Sequence, residues 1–108
     1  MALLKGTLDL LALKALAWGP MHGYEIAAWL ETHSTGRLNV VDAALIQSLH
    51  RMEERGLVTG EWGVTANGRR ARYYKSTTAG RTHLKVEGAK LADHVDALAT
   101  ILSLRPAR

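Results

Sequence analysis

Residues 43–58 read AALIQSLHRMEERGLV. Leu45, Leu49 and Met52 recur at helical spacing, so one face of a helix is apolar and suited to a core. Ala44, Gln47, His50, Arg51 and Glu54 fall on the opposite face. Asp42 stands where an N-cap belongs, and Gly56 where a left-handed C′ residue ends a helix. By itself the segment is an ordinary amphipathic helix. Its neighbours decide whether the outer face reads anything.

Upstream lie two more helical segments. TLDLLALKALAW (7–18) is apolar around most of its circumference and should touch two neighbours, with Thr7 as N-cap and Asp9 in the first turn. Gly19-Pro20 ends it. A second helix over 23–33 has Ile26, Ala27 and Leu30 as its inner stripe and Glu25 and Glu31 off it. A polar loop, 34–37, and a short extended piece at Leu38-Asn39-Val40 lead to Asp42.

Downstream of Gly56 the pattern changes. Residues 57–62 and 71–75 are rich in β-branched and aromatic side chains, and Asn67-Gly68 between them suits a tight turn. That predicts a β-hairpin, with one of Tyr73 and Tyr74 in the core and Trp62 packed across from it. A last helix, capped by Thr77 or Thr78, reaches roughly Leu104. Its Leu84, Leu91, Val95, Leu98 and Leu102 fall on a heptad-like seam in which Gly88 fills one slot, and a second copy of the chain would cover it.

Charge is concentrated in one region. The net charge of the 108 residues is +4, yet Arg69, Arg70, Arg72, Lys75, Arg81 and Lys85 stand between Trp62 and Lys85 without one acid. The remaining 84 residues carry −2. A local cationic patch of this kind attracts phosphate, whereas scattered charge would mainly aid solubility. Cysteine is absent, which removes disulfides, thiolate nucleophiles and thiolate metal sites and fits a cytoplasmic location. Lys5, Asp9 and Lys14 interrupt the first apolar segment, so it is read as a buried helix and not as a leader or membrane span. The five histidines show no compact metal spacing, and His83 with Glu87 makes only one pair. No nucleophile or acid–base constellation is visible, so an enzyme is not expected and no cofactor is implied.

Three helices, a basic hairpin and a long helix describe a mainly α protein: a winged helix-turn-helix with an appended dimerisation helix. In that geometry the third helix enters a DNA major groove and the hairpin tip lies over phosphates. Gln47 and Arg51 can hydrogen-bond base edges, and Asn67, Arg69, Arg70 and Arg72 offer donors to phosphate. Glu53 and Glu54 would repel DNA, which directs contact to the first half of the helix; Arg51 could equally pair with a neighbouring acid.

At three places the sequence resembles the PadR family of bacterial transcriptional regulators: LLKGTLDLLALKALAWGPMHGYEIAAWL (3–30), LHRMEERGLV (49–58) and GRRARYYKSTTAGR (68–81). The resemblance spans about residues 3 to 85 and points to the compact branch with one terminal helix. It implies a cytoplasmic homodimer on double-stranded DNA with a partly palindromic operator. It further implies a repressor released by a small-molecule effector, with the dimer interface as the effector's place. Carried over by position, the DNA-reading segment is Ala43, Ala44, Ile46 and Gln47, and the wing contribution is Asn67 to Arg72. Family members commonly have a small polar residue and Leu-Tyr-Pro where this chain has Ala44-Leu45-Ile46-Gln47. Ile46 offers apolar contact, such as to a thymine methyl, in place of the tyrosine hydroxyl.

Residues 1–77 are thus expected to form the DNA-binding domain and residues 78–108 the dimerisation helix. Two other functions fit the same pattern: a winged helix that binds protein, and a ligand sensor without sequence-specific DNA binding. Trp18 and Trp29 would line any aromatic pocket, although the simpler expectation for each is the core.

Overall fold

Helix α1 (Thr7–Leu16) packs against every other helix of the fold. The computed structural model describes residues 6–107; positions 3–5 of the N-terminal resemblance and Arg108 lie outside the described residues. Ala12, Leu13, Ala15 and Leu16 of α1 are buried, which accounts for its nearly continuous apolar circumference. Its N-cap is Gly6, at φ +85°, and not Thr7, which is already helical. The amides of Ala17, Trp18 and Gly19 bond back three residues to Lys14, Ala15 and Leu16, tightening the last turn before Pro20.

Helix α2 (Gly23–His33) starts with a capping box. The Glu25 amide donates to His22 Nδ1, and the His22 amide donates to Glu25 Oε1. Ile26 and Leu30 are buried, as their spacing predicts. The loop that follows bonds to itself: the Ser34 hydroxyl accepts from the Leu38 amide, and Arg37 and Asn39 donate to the Ser34 and Gly36 carbonyls. Residues 38–40, expected to be extended, pair with no strand among the described residues.

Helix α3 (Asp42–Glu54) buries Leu45, Ser48, Leu49 and Met52. Its N-cap is Val41, with extended backbone and no side-chain cap; Asp42 is already helical, so its carboxylate acts on the helix dipole and does not cap. The C-terminus closes as a Schellman motif: Leu57 N–H bonds to Met52 O at 2.8 Å and Gly56 N–H to Glu53 O at 3.0 Å, with Gly56 at φ +74°.

Strands β1 (Val58–Val64) and β2 (Arg70–Ser76) pair antiparallel from Val58↔Ser76 to Val64↔Arg70. The hairpin turns at Thr65–Gly68. Only Gly68 takes the left-handed conformation there, and the Thr65 amide bonds to the Arg69 carbonyl, so the strands are joined by a three-residue loop. Tyr74 is the buried tyrosine. The register corrects the expectation for Trp62, which sits opposite Arg72 and is 61% exposed. Reciprocal backbone bonds between Met21 and Tyr74 tie the hairpin base to the α1–α2 connection.

Helix α4 (Thr78–Ser103) leaves the hairpin directly. The Gly80 amide donates to the Thr77 hydroxyl, which itself donates to the Gly56 carbonyl. A Cβ at Gly80 would collide with the Leu57 carbonyl oxygen, so glycine is what lets α4 approach the body. The result is a winged helix-turn-helix carrying a long C-terminal helix, 62 Å in its longest dimension.

Candidate nucleic-acid interface

The outer face of α3 is set by how its inner face is held. Ser48 is fully buried between apolar neighbours, and its hydroxyl donates to Asp9 Oδ1 of α1. Arg51 Nη2 donates to the same oxygen at 3.2 Å. Asp9 is itself buried, and a lone carboxylate there would carry a heavy desolvation cost; two donors from α3 offset it. The outcome is a polar clip that fixes the rotation of α3 against α1. The sequence carried a signal for it, since Ser48 occupies an inner position of the 45–48–49–52 stripe and Asp9 interrupts an apolar helix. Their separation of 39 positions hides the pairing.

A second clip joins the hairpin to α3. Arg72 Nη2 of β2 meets Glu53 Oε2 at 2.6 Å. This hydrogen bond and ion pair hold the Arg72 guanidinium above the ordinary arginine range. Burial pushes the neighbouring Tyr74 phenol above its usual value. Arg72 also lies 5.7 Å from the Trp62 ring centroid and Arg70 4.7 Å, so the indole carries two guanidinium groups. Gly60 makes room for this stack, because a Cβ there would stand 2.7 Å from Arg72 Nε.

Around these clips the expected contact residues divide into groups. Ala43, Ala44, Ile46 and Gln47 are exposed on the first turns of α3. Asn67, Arg69 and Arg70 are exposed at the hairpin end, where Asn67 Oδ1 accepts from the Thr65 hydroxyl. Arg51 and Arg72 are committed to Asp9 and Glu53. Ile46, Arg70 and Arg72 line one cleft between helix and hairpin, whereas Ala43, Ala44, Gln47, Asn67 and Arg69 lie outside its lining. His22, Tyr24, His50 and Trp62 also line it, and sequence reasoning assigned none of them to the site.

Along α4, Leu84 packs against the chain's own core and Leu91 is half-buried. Val95, Leu98 and Leu102 are exposed, as are Ile101 and Leu104, which the heptad reading left out. Trp18 departs from its expected place in the core. It follows the end of α1, is 65% exposed, and lies 5.2 Å from the half-buried Trp29. Trp29 stacks on His33 at 4.2 Å.

Comparison with known proteins agrees with this architecture. The model of the transcriptional regulator PadR-like family matches residues 12–86. A PadR family transcriptional regulator from Eggerthella lenta is similar with a TM-score of 0.74 and 26% identity, over 94% of this chain and 86% of that one. A transcriptional regulator from Clostridium thermocellum shares the fold at TM-score 0.77 and 21% identity, over 89% and 90% of the two chains. Bacillus subtilis PadR, solved in complex with operator DNA, shares it at TM-score 0.65 and 15% identity, over 94% of this chain and 50% of its own.

Proposed function

This chain belongs to the transcriptional regulator PadR-like family, and from that premise we propose that it is a homodimeric repressor of the cytoplasm that binds a partly palindromic DNA operator. The supporting observation is the pairing of two exposed surfaces held in fixed relation: the opening turns of α3, and a hairpin end whose Arg69 and Arg70 form no ion pair among the described residues, in a stretch from Trp62 to Lys85 that itself contains no acid. Ala43, Ala44, Ile46 and Gln47 make the reading edge, with Gln47 as the side chain able to hydrogen-bond a base edge. Asn67, Arg69 and Arg70 hold phosphate. Arg51 and Arg72 serve this interface while bound to Asp9 and Glu53, so their larger part is to fix α3 and hairpin against the body. Residues 1–77 act as the DNA-binding domain and residues 78–108 as the dimerisation helix, through Leu84, Leu91, Val95, Leu98 and Leu102. The reading includes release of the operator by a small-molecule effector.

Fluorescence anisotropy with duplexes from the DNA upstream of the chain's own gene tests this. Affinity should fall steeply with salt, and Arg69→Ala should lower the salt slope by about 1 while weakening all duplexes alike. Gln47→Ala should reduce discrimination between operator and unrelated DNA, by about 1–3 kcal/mol at the contacted position. Salt-independent binding, or identical behaviour of the two variants, would overturn the assignment. An effector must lower DNA affinity by the same factor by which DNA lowers its own.

A further inference from the structure

One face of the hairpin alternates cations and rings. Side chains two apart share a face of a strand, so Arg70, Arg72 and Tyr74 of β2 lie together, with Gly60 and Trp62 of β1 beside them. Trp62 is directly opposite Arg72 and diagonal to Arg70, within reach of both. The Arg72 guanidinium is 5.9 Å from the Tyr74 ring centroid and 5.7 Å from that of Trp62, and the Arg70 guanidinium is 4.7 Å from Trp62. The order Tyr74, Arg72, Trp62, Arg70 runs from the buried base of the hairpin to its exposed end.

The two arginines at the indole are held differently. Arg72 is tied to Glu53 of α3, which occupies part of its donor edge. Arg70 forms no ion pair among the described residues and has the Trp62 ring against its face. A guanidinium stacked by its face keeps its donors, because the N–H groups point outward in the plane of the group. Trp62 therefore holds Arg70 without using any of its hydrogen bonds. An unheld arginine must be ordered when it binds, and that ordering costs affinity. Arg69, next in the chain, has no ring against it among the described residues and serves as the internal reference.

We propose that Trp62 is a positioning residue: it holds Arg70 in the free protein with its N–H edge open to a DNA phosphate. Because Arg72 at the same ring is tied to Glu53, that phosphate contact keeps a set place relative to the opening turns of α3. The phosphate contact rests on the DNA-reading proposal; the hold of Trp62 on Arg70 does not.

Two measurements on the full-length protein test this role. In the DNA-free protein, the Arg70 side-chain protons should show an upfield ring-current shift by NMR, and Trp62→Leu should remove it. Fluorescence anisotropy with an upstream duplex and with an unrelated duplex then reads the consequence. Arg70→Gln should weaken both about tenfold. Trp62→Leu should weaken both about two- to fivefold, and Trp62→Phe, which restores a weaker ring, should fall between Trp62→Leu and wild type. Beside Arg70→Gln, Trp62→Leu should have no further effect, whereas Arg69→Ala should cost the same factor with or without Trp62. Trp62 and Arg70 are both exposed, and a thermal melt of each variant verifies that it folds. An absent ring-current shift at Arg70, wild-type affinity in Trp62→Leu, or equal affinities of Trp62→Leu and Trp62→Phe would overturn the role. So would a Trp62→Leu loss that persists in full beside Arg70→Gln, since the indole would then touch DNA itself. A protein that shows the Arg70 shift yet binds neither duplex refutes the DNA reading, and the phosphate contact with it, while the hold on Arg70 stands.

Discussion

Helices α3 and α4 are both amphipathic, but their apolar faces meet different fates. The face of α3 is finished inside the chain: Leu45, Leu49 and Met52 are each at most 1% exposed, and even its polar inner residue, Ser48, has a partner. On α4 only Gly80 is buried, and Val95, Leu98, Ile101 and Leu102 are 47–83% exposed. A row of apolar side chains in water has no benefit to one chain, since burial is what makes such residues stabilising. The contrast separates an element that completes the domain from one that waits for a second surface. It also means that the proposed reading edge is held in place: α3 is tied by its core face, by Asp9 of α1 and by Arg72 of β2.

Substitutions can break this contrast or refine it. Leu49→Ala should have the largest effect on folding, about 2–5 kcal/mol by urea denaturation, because it opens a cavity in a closed core. A loss below about 1 kcal/mol would mean that the α3 face is looser than its burial indicates. Asp9→Ala should cost about 1–3 kcal/mol, as it leaves the buried Ser48 hydroxyl without a partner and frees Arg51. Its second signature is a loss of operator discrimination greater than the loss of nonspecific DNA affinity, measured by anisotropy at fixed temperature; equal losses would reduce Asp9 to a purely structural residue.

Tyr74→Phe should produce a smaller, pH-dependent effect. Burial raises the Tyr74 pKa in the folded chain above its ordinary 10.0, so folding favours the neutral phenol. Its contribution is therefore complete below pH 10.0 and is lost as pH climbs towards the folded value. Denaturation midpoints of wild type should fall over that interval, and Tyr74→Phe should flatten the decline; parallel declines would assign it to other groups. Smallest in its effect on a single chain is Leu98→Asp, within about 0.5 kcal/mol when unfolding is followed at dilutions where the chain is monomeric. At micromolar concentration the same change should shift sedimentation from dimer to monomer. An unchanged sedimentation coefficient would place the dimer contact away from this part of α4.

Much of the fold was legible because it is written in local rules. The 45–49–52 stripe, the Gly56 terminator, the β-rich segments around Asn67-Gly68 and Thr77 ahead of the last helix each state a propensity that the structure keeps. The helix starts were misread by one residue at Thr7 and Asp42, since either residue can cap or occupy the first turn and only backbone geometry separates the two. Trp62 was misplaced for a different reason. Aromatics on a strand are expected to pack, but register and the Gly60 gap set Trp62 against Arg72 in the open. The exposed outer face of α3 followed from periodicity, whereas the partners of Arg51 and Arg72 did not, because cations give no indication of which acid the fold will bring to them.

The sequence alone determined the order of elements, the inward face of α3, the acid-free cationic stretch from Trp62 to Lys85 and the family resemblance, all of which are properties of neighbouring residues or of composition. Tertiary structure decided the rest: Asp9 with Ser48, Glu53 with Arg72, the exposure of Trp18 and Trp62, and a cleft whose walls come from α2, α3 and the hairpin. Each joins residues far apart along the chain, and such contacts exist only once packing has fixed how the elements lie against one another.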